Sequence, residues 1–455
     1  MARSHRVQRR FAKEAEAENQ RSSARQVACD MPVAVVECGG CHAAIAYKHD
    51  CIACRDIAAA RARQWEKLEA LGDPLIRLKN EIDWELFRPE LARIYTEKER
   101  KNAAGRPPLD VVLMFMVVIL QRLYNLSDDQ TEFHIRDRAS FQRFLDLRIE
   151  NGAPDAKTLW LFKERLKEMG LERDLFFRFE LYLREIGLEA KGGQIVDATF
   201  VDVPRQRNTR EENEVIKNGG MPAGWEDNPH KLAQKDRDAE WVKKGEETHF
   251  GFKDHTNVDQ EHKLIRDFTV TGASVHDSLM LDDILDTETK AAADETNATT
   301  ETVEPQSSGV EDAAGSQAAG ANVAVAVDSQ LSEREGDTEA GESKTAQGRP
   351  VFADSAYRSV GQEARLEAQG IPSRIHERPY RNKPLTEEQK EANRKKSSVR
   401  VRVEHVYGFF TTSMNRATYI RSIGSARACL TIGLMNLTYN LARFVQIKKV
   451  AACAT

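Results

Sequence analysis

The sequence predicts a mixed α/β core preceded by an all-α region. Two observations carry this. From about Arg61 to Leu188 the apolar residues recur at helical spacing, as in LWLFKERLKEMG, which puts them on one helix face. After Lys191 the pattern turns to β-rich runs such as QIVDATFVDV and then alternates between short strands and helices.

Residues 1–25 are basic and polar with no apolar centre, so they read as a flexible tail rather than a signal peptide. Residues 26–60 hold Cys38, Cys41, Cys51 and Cys54, two CxxC pairs. That spacing suits four thiolates around a tetrahedral Zn²⁺, a small zinc-ribbon-like module; free or redox thiols are the alternative. In residues 61–190, Pro107 and Pro108 start the long apolar run VVLMFMVVIL. At ten residues this run is too short to span a bilayer and reads as a buried helix, so a cytoplasmic protein is expected. Ser127 and Asp155 are expected N-caps of later helices, and the series of short helices suggests a helix-turn-helix-like bundle. Such a bundle reads DNA with exposed basic or amide side chains. Arg136, Arg138, Gln142, Arg143 and Lys157 are candidates, each of which also reads as a solvated surface residue.

Residues 191–450 form the predicted core. QIVDATFVDV, THFGFKDHTNVD and HKLIRDFTVTGAS are strands, the last two a hairpin. HDSLMLDDILD is a helix, RPVFADSAY a short strand, SVGQEARLEAQG a helix, IPSRIH a strand and LTEEQKEANRKKS a helix. IGLMNLTYNLARFVQIKK closes the chain as an amphipathic helix with a basic end. A stretch rich in Ala, Thr, Glu, Gly and Ser, residues 287–347, interrupts the series. It has no aromatic residue and is expected to be disordered. Without it the order is three strands, helix, strand, helix, strand, helix, that of an RNase H-like domain.

The net charge of −5 conceals a division. Residues 286–348 hold 14 acidic and 3 basic residues, a net of −11, whereas residues 371–449 hold 16 basic and 5 acidic, a net of +11. The basic segment suits phosphate binding; the acidic one cannot hold DNA and reads as a passive or self-shielding tether.

Asp197 interrupts an apolar strand, and Asp354 ends the short one. Each alone reads equally well as a strand-end cap or a buried ion pair. In an RNase H-like sheet, however, the first and fourth strands are neighbours, which would cluster the two carboxylates. Clustered carboxylates repel unless a cation intervenes, and Mg²⁺ prefers oxygen ligands. A third carboxylate would complete a two-ion site, where Mn²⁺ can substitute. Glu404 is the candidate, subject to SVRVRVEHVYGFF, residues 398–410. Its alternation of Val with Arg and Glu reads as a strand with Glu404 on the rim. The element order makes it a helix, with Arg400 and Glu404 one turn apart.

IVDATFVDVPRQRN, FADSAYRS, RIHERPYRNKPLTEEQKEANRKKSSVRVRVEHVYGFF and, upstream, GRPPLDVVLMFMVVILQRLYNLSDDQTEFHIRDRASFQRFLDL resemble DDE transposases of bacterial insertion sequences. The group is the insertion-sequence-five family of the insertion-sequence-four superfamily, and the likeness covers roughly Ile76 to Lys449 apart from the insert. The resemblance implies a catalytic triad of Asp197, Asp354 and Glu404, Mg²⁺-dependent cleavage and joining of double-stranded DNA at terminal inverted repeats, and a homodimer in the DNA complex. Relatives carry a tyrosine three residues before Arg400 and a lysine seven after Glu404; here Ser397 and Thr411 stand there, which puts the DNA-end contacts in doubt. Arg400, Arg358 and Lys253 are expected at DNA, although Lys253 and His255 also read as polar strand-edge residues. His276 and Asp277 precede the helix before the insert, where Asp277 reads equally as a helix cap or an active-site residue; Tyr407 and Trp241 each carry a DNA-contact and a packing reading. A nuclease without strand transfer and a catalytically inactive, domesticated DNA-binding protein are the alternatives.

Overall fold

The computed structural model describes residues 63, 65–96, 108–147, 152–285, 348–379 and 383–454. The tail, the module with Cys38, Cys41, Cys51 and Cys54, and the 287–347 insert lie outside the described residues. The chain separates into two compact units, residues 1–77 and 78–455. The second, taken by itself, holds a helical layer and a sheet.

The helical layer comprises α1 (Arg88–Thr96), α2 (Val111–Leu123), α3 (Asp128–Asp137), α4 (Ala139–Phe144), α5 (Ala156–Glu168) and α6 (Leu171–Glu185). Its helix starts are set by the sequence. Asp110 caps α2 by accepting from the Val112 and Leu113 amides, Ser127 and Gln130 form a capping box on α3, and Asp155 caps α5. Helix α2 is buried at every position from Val111 to Gln121 except Leu113. Among the described residues no single helix is long and apolar enough to cross a membrane.

The sheet is mixed. It contains β1 (Gln194–Asp202), β2 (Glu240–Lys244), β3 (Glu247–Asp259), β4 (Ile265–Gly272) and β5 (Val351–Phe352). β3 pairs antiparallel with β1 on one side and with β2 and β4 on the other, while β5 runs parallel to β1. Between β1 and β2 lie α7 (Arg210–Lys217) and α8 (Pro229–Ala233). α9 (Leu281–Ile284) comes after β4, and α10 (Val360–Ala368) after β5. α11 (Glu387–Thr412) and α12 (Ser425–Ala454) end the chain. The expected strand at IPSRIH is reduced to one bridge, Val351 to Ser373.

One sheet face buries Val196 with Leu281, Ile284, Tyr357 and Leu366. The other is covered by α11 and α12: Tyr407 reaches Thr256 and Asn436 reaches Asp254. Helix α12 packs on α2, α5 and α6 as well as on β4. It is not the amphipathic helix expected: it is buried continuously from Ile432 to Leu441, and Asn440 hydrogen-bonds both backbone groups of Ile265. Arg266 adds a buried tie, pairing with Glu180 of α6 at 2.9 Å and with Asp259 at 2.9 Å.

Candidate active site

The parallel pairing sets Ile195 opposite Phe352. Each aspartate stands two residues beyond that pair, Asp197 within β1 and Asp354 just past the end of β5. Asp354 caps a 3-10 turn, Ser355–Tyr357, its Oδ1 accepting from the Ala356 amide at 2.8 Å. SVRVRVEHVYGFF is helical, within α11. Its alternation misleads because the helix buries Val403 and Val406 and leaves Val401 53 % exposed. Arg400 Nη2 donates to Asp197 Oδ2 at 3.3 Å and lies 3.9 Å from Glu404 Oε1, one helical turn on.

Three stretches far apart in sequence thus bring their charges together. Burial pushes the Asp197 carboxyl up to about 6 against the pull of Arg400 and the Ala198 amide, and Asp354 and Glu404 push it further in the same direction. Burial, then Asp197, Asp277 and Asp354, push the Tyr357 phenol well above its ordinary range. The Tyr357 hydroxyl has no hydrogen-bond partner among the described residues. It was not singled out in the sequence, although it lies only three residues after Asp354.

The first half of α11 is laced to the segment beside β5. Asn393 and Glu377 exchange two hydrogen bonds, of 2.9 and 3.1 Å; Lys396 donates to the Ile375 carbonyl at 2.8 Å; and Ser397 Oγ lies 3.2 Å from His376 Nε2. The His376 amide in turn donates to the Ala353 carbonyl. This lacing fixes α11 against the strand that leads to Asp354, and gives Ser397 a partner of its own.

Most other residues singled out in the sequence have partners within the fold. Lys253 is not a strand-edge residue open to phosphate. It is buried on the sheet face opposite Asp197, donating to Asp277 Oδ1 and the Val275 carbonyl, both at 2.7 Å, because the strand alternation sends residues 253 and 256 to different faces. His255 shares that face and bonds Thr271 Oγ1 at 2.9 Å; burial holds its imidazole down to about 4. The capping role falls to His276, which accepts from the Ser278 amide. Arg358 is held by Glu377 at 2.8 Å and by the Ile375 carbonyl at 3.2 Å. Tyr407 is packed, its hydroxyl 2.9 Å from Thr256 Oγ1. Trp241 lies on β2, a strand not expected, tilted against Phe250 at 4.7 Å.

In the helical layer Arg136 pairs with Glu132 at 3.0 Å, and Arg138 sits 5.2 Å over the Phe141 ring. The Gln142 amide ties down the Ile135 and Arg136 carbonyls, which commits it to closing α3. Arg143 is half-buried, whereas Lys157 is exposed.

The donor set of Asp197, Asp354 and Glu404 is all oxygen, which suits a hard divalent cation. The arrangement is not that of a formed site: among the described residues no three His, Cys, Asp or Glu side chains are set to hold an ion. Arg400 lies against Asp197, and the Glu404 side chain is 61 % exposed.

Fold and site together define a class: a mixed α/β domain consistent with an RNase H-like core, carrying clustered carboxylates and joined to an N-terminal helical region. The chain belongs to the Transposase DDE domain family, whose model matches residues 189–306 and 321–441, more than half its length. The model named Transposase domain (DUF772) matches residues 63–165. The gap in the first match falls inside the acidic insert. Among solved structures, the piggyBac transposase synaptic complex with hairpin DNA aligns over 84 % of this chain and 76 % of that one, at 11 % identity and a TM-score of 0.37. That likeness is too weak to bear on function.

Proposed function

We propose that this transposase-family chain cleaves DNA at the terminal inverted repeats of its own insertion sequence and joins the ends to a target, in a Mg²⁺-dependent reaction. The insertion-sequence-five assignment, a homodimer holding the two ends, and action at the nucleoid belong to the same reading. The observation that carries it is the convergence of Asp197, Asp354 and Glu404.

These three carboxylates would hold the metal. When bound, Mg²⁺ or Mn²⁺ supplies Lewis-acid polarisation of the phosphodiester and activation of the attacking oxygen. The chain's own residues do the rest. Arg400 offsets part of the charge of Asp197 and Glu404, and its guanidinium suits a phosphate oxygen once the carboxylates have another cation. The lacing of α11 to residues 375–377 holds Arg400 and Glu404 in register with Asp354. The basic C-terminal segment supplies phosphate affinity that falls steeply with salt. Helices α3 to α5, with Arg136, Arg138 and Lys157 at the surface, contact the repeat.

The test incubates the full chain with Mg²⁺, DNA carrying the sequences that flank its coding region, and a supercoiled target plasmid. Joined donor–target molecules are expected. Cleavage with no joined product would overturn the transposase reading in favour of a nuclease.

A further inference from the structure

Beyond the end of β1 lies a pocket that the carboxylate site does not use. Residues 203–206, 234–236 and 421–423 enclose about 260 Å³. Its walls are built rather than incidental. The loop after α11 is sewn to the end of β1: the Asp202 amide donates to the Thr418 carbonyl at 2.8 Å, and the Ile420 amide to the Asp202 carbonyl at 3.0 Å. Asp236, 4 % exposed, accepts from the Asp238, Ala239 and Gly424 amides at 3.0–3.1 Å. The lining's one carboxylate is thereby committed to backbone.

Its three cations are held differently. Lys235 Nζ donates to the Arg207 carbonyl at 3.0 Å and to Asn208 Oδ1 at 2.5 Å, and lies 5.3 Å from the Trp225 ring centre. Arg205 donates to the Thr248 carbonyl at 2.6 Å and lies 5.8 Å from the Trp241 ring centre. Each is positioned by neutral acceptors and an aromatic ring, which orient a cation without cancelling its charge. Arg421 is exposed, with no ion-pair or side-chain hydrogen-bond partner among the described residues. Gln206 Oε1 is buried with no partner. A concave site with two guanidinium forks and an ammonium around one carboxylate, whose oxygens are bound to backbone amides, keeps a net positive charge and has the chemistry of a phosphate receptor.

We propose that this pocket binds a backbone phosphate of the DNA, at a distance from the reacting one. The inference rests on the DNA-transposing role proposed above. β1 rises about 3.3 Å per residue, so Val203 stands roughly 20 Å from Asp197, about six base-pair steps of B-DNA. β1, which carries Asp197, runs directly into one wall of the pocket, and the loop after α11, the helix of Arg400 and Glu404, forms another. A phosphate seated here would fix the duplex relative to the carboxylates.

The test is equilibrium binding of the full chain to a fluorescein-labelled duplex, read by anisotropy across a salt series without divalent metal. Each phosphate contact adds about one to the slope of log affinity against log salt. Arg205→Ala with Arg421→Ala, which takes both guanidinium forks from the single phosphate, is expected to lower that slope by about one, and Arg421→Ala, which removes no protein hydrogen bond, to lower it part of the way. Arg421→Lys should restore most of the loss. Unchanged slopes in both variants beside a wild type that binds DNA would overturn the pocket and leave the proposed function standing. A wild type that binds no DNA would overturn both. Inorganic phosphate that binds wild type and not the double variant, yet leaves the duplex bound to both, would place free phosphate rather than DNA in the pocket and also overturn the inference.

Discussion

The run Lys253–Asn257 of β3 is buried throughout, and the two faces of the sheet treat its polar groups differently. On one face the charge is paired and every polar side chain has a partner: Lys253 pairs with Asp277, His255 with Thr271, and Asn257 with Gln194 and the Ile284 carbonyl, leaving only the neutral atoms His255 Nδ1 and Asn257 Oδ1 without one among the described residues. On the other face, under α11 and α12, compensation is incomplete. Asp254 has Asn436 on one oxygen and nothing on the other, and burial pushes its carboxyl up to about 7. Asp197 has Arg400 but also feels Asp354 and Glu404. A buried charge left short of partners costs stability that the fold has to supply elsewhere. The first face serves the structure. The second holds charge in a form that a cation or a proton relieves.

The largest expected effect comes from breaking the compensated face. Lys253→Met leaves Asp277 beside the core without its partner and should cost about 3–5 kcal/mol, read from denaturant midpoints. A loss below about 1 kcal/mol would mean that the pair is effectively solvated.

The uncompensated face should behave in the opposite way. Asp254→Asn keeps the hydrogen bond from Asn436 but cannot ionise. Because the folded pKa is raised, the folded state keeps a proton that the unfolded chain releases between about pH 4 and pH 7. Wild-type stability from this group is therefore present at low pH and lost as pH rises to about 7. The variant should gain on wild type across that window, by up to about 1.4 kcal/mol per pKa unit, and the difference should level off above it. His255 contributes the opposite slope below its ordinary range, but equally in both proteins. A difference independent of pH would contradict the buried, protonated Asp254.

The smallest effect is expected at Tyr357. Tyr357→Phe removes a buried hydroxyl that has no partner among the described residues, so stability should change by less than about 1 kcal/mol, with a gain more consistent than a loss. A large loss would reveal a hydrogen bond to one of the neighbouring carboxylates.

The carboxylate cluster was legible because strand order, which sequence patterns carry well, decides which strands are neighbours. Two aspartates in strands therefore implied a meeting point, and the same order overruled the valine alternation at Arg400 to Glu404. The failures share a cause. β2, within DRDAEWVKK, has little apolar pattern of its own and is a strand because β3 pairs with it. In α12 the letters Asn436, Thr438 and Asn440 look like a solvent face, yet two of them complete hydrogen bonds of distant strands. Lys253 and Asp277 lie 24 positions apart, and no local pattern announces their pairing. Tertiary partners decided each case, and they are not written in neighbouring residues.

Asp197, Asp354 and Glu404 are proposed to act together as the cation-dependent centre for DNA cleavage. The most direct measurement compares wild type with Asp354→Ala on DNA carrying the element's ends, with and without Mg²⁺, after confirming equal thermal midpoints. Wild type should cleave only with Mg²⁺, and the variant should give no product above background. Equal cleavage by both proteins would contradict the assignment.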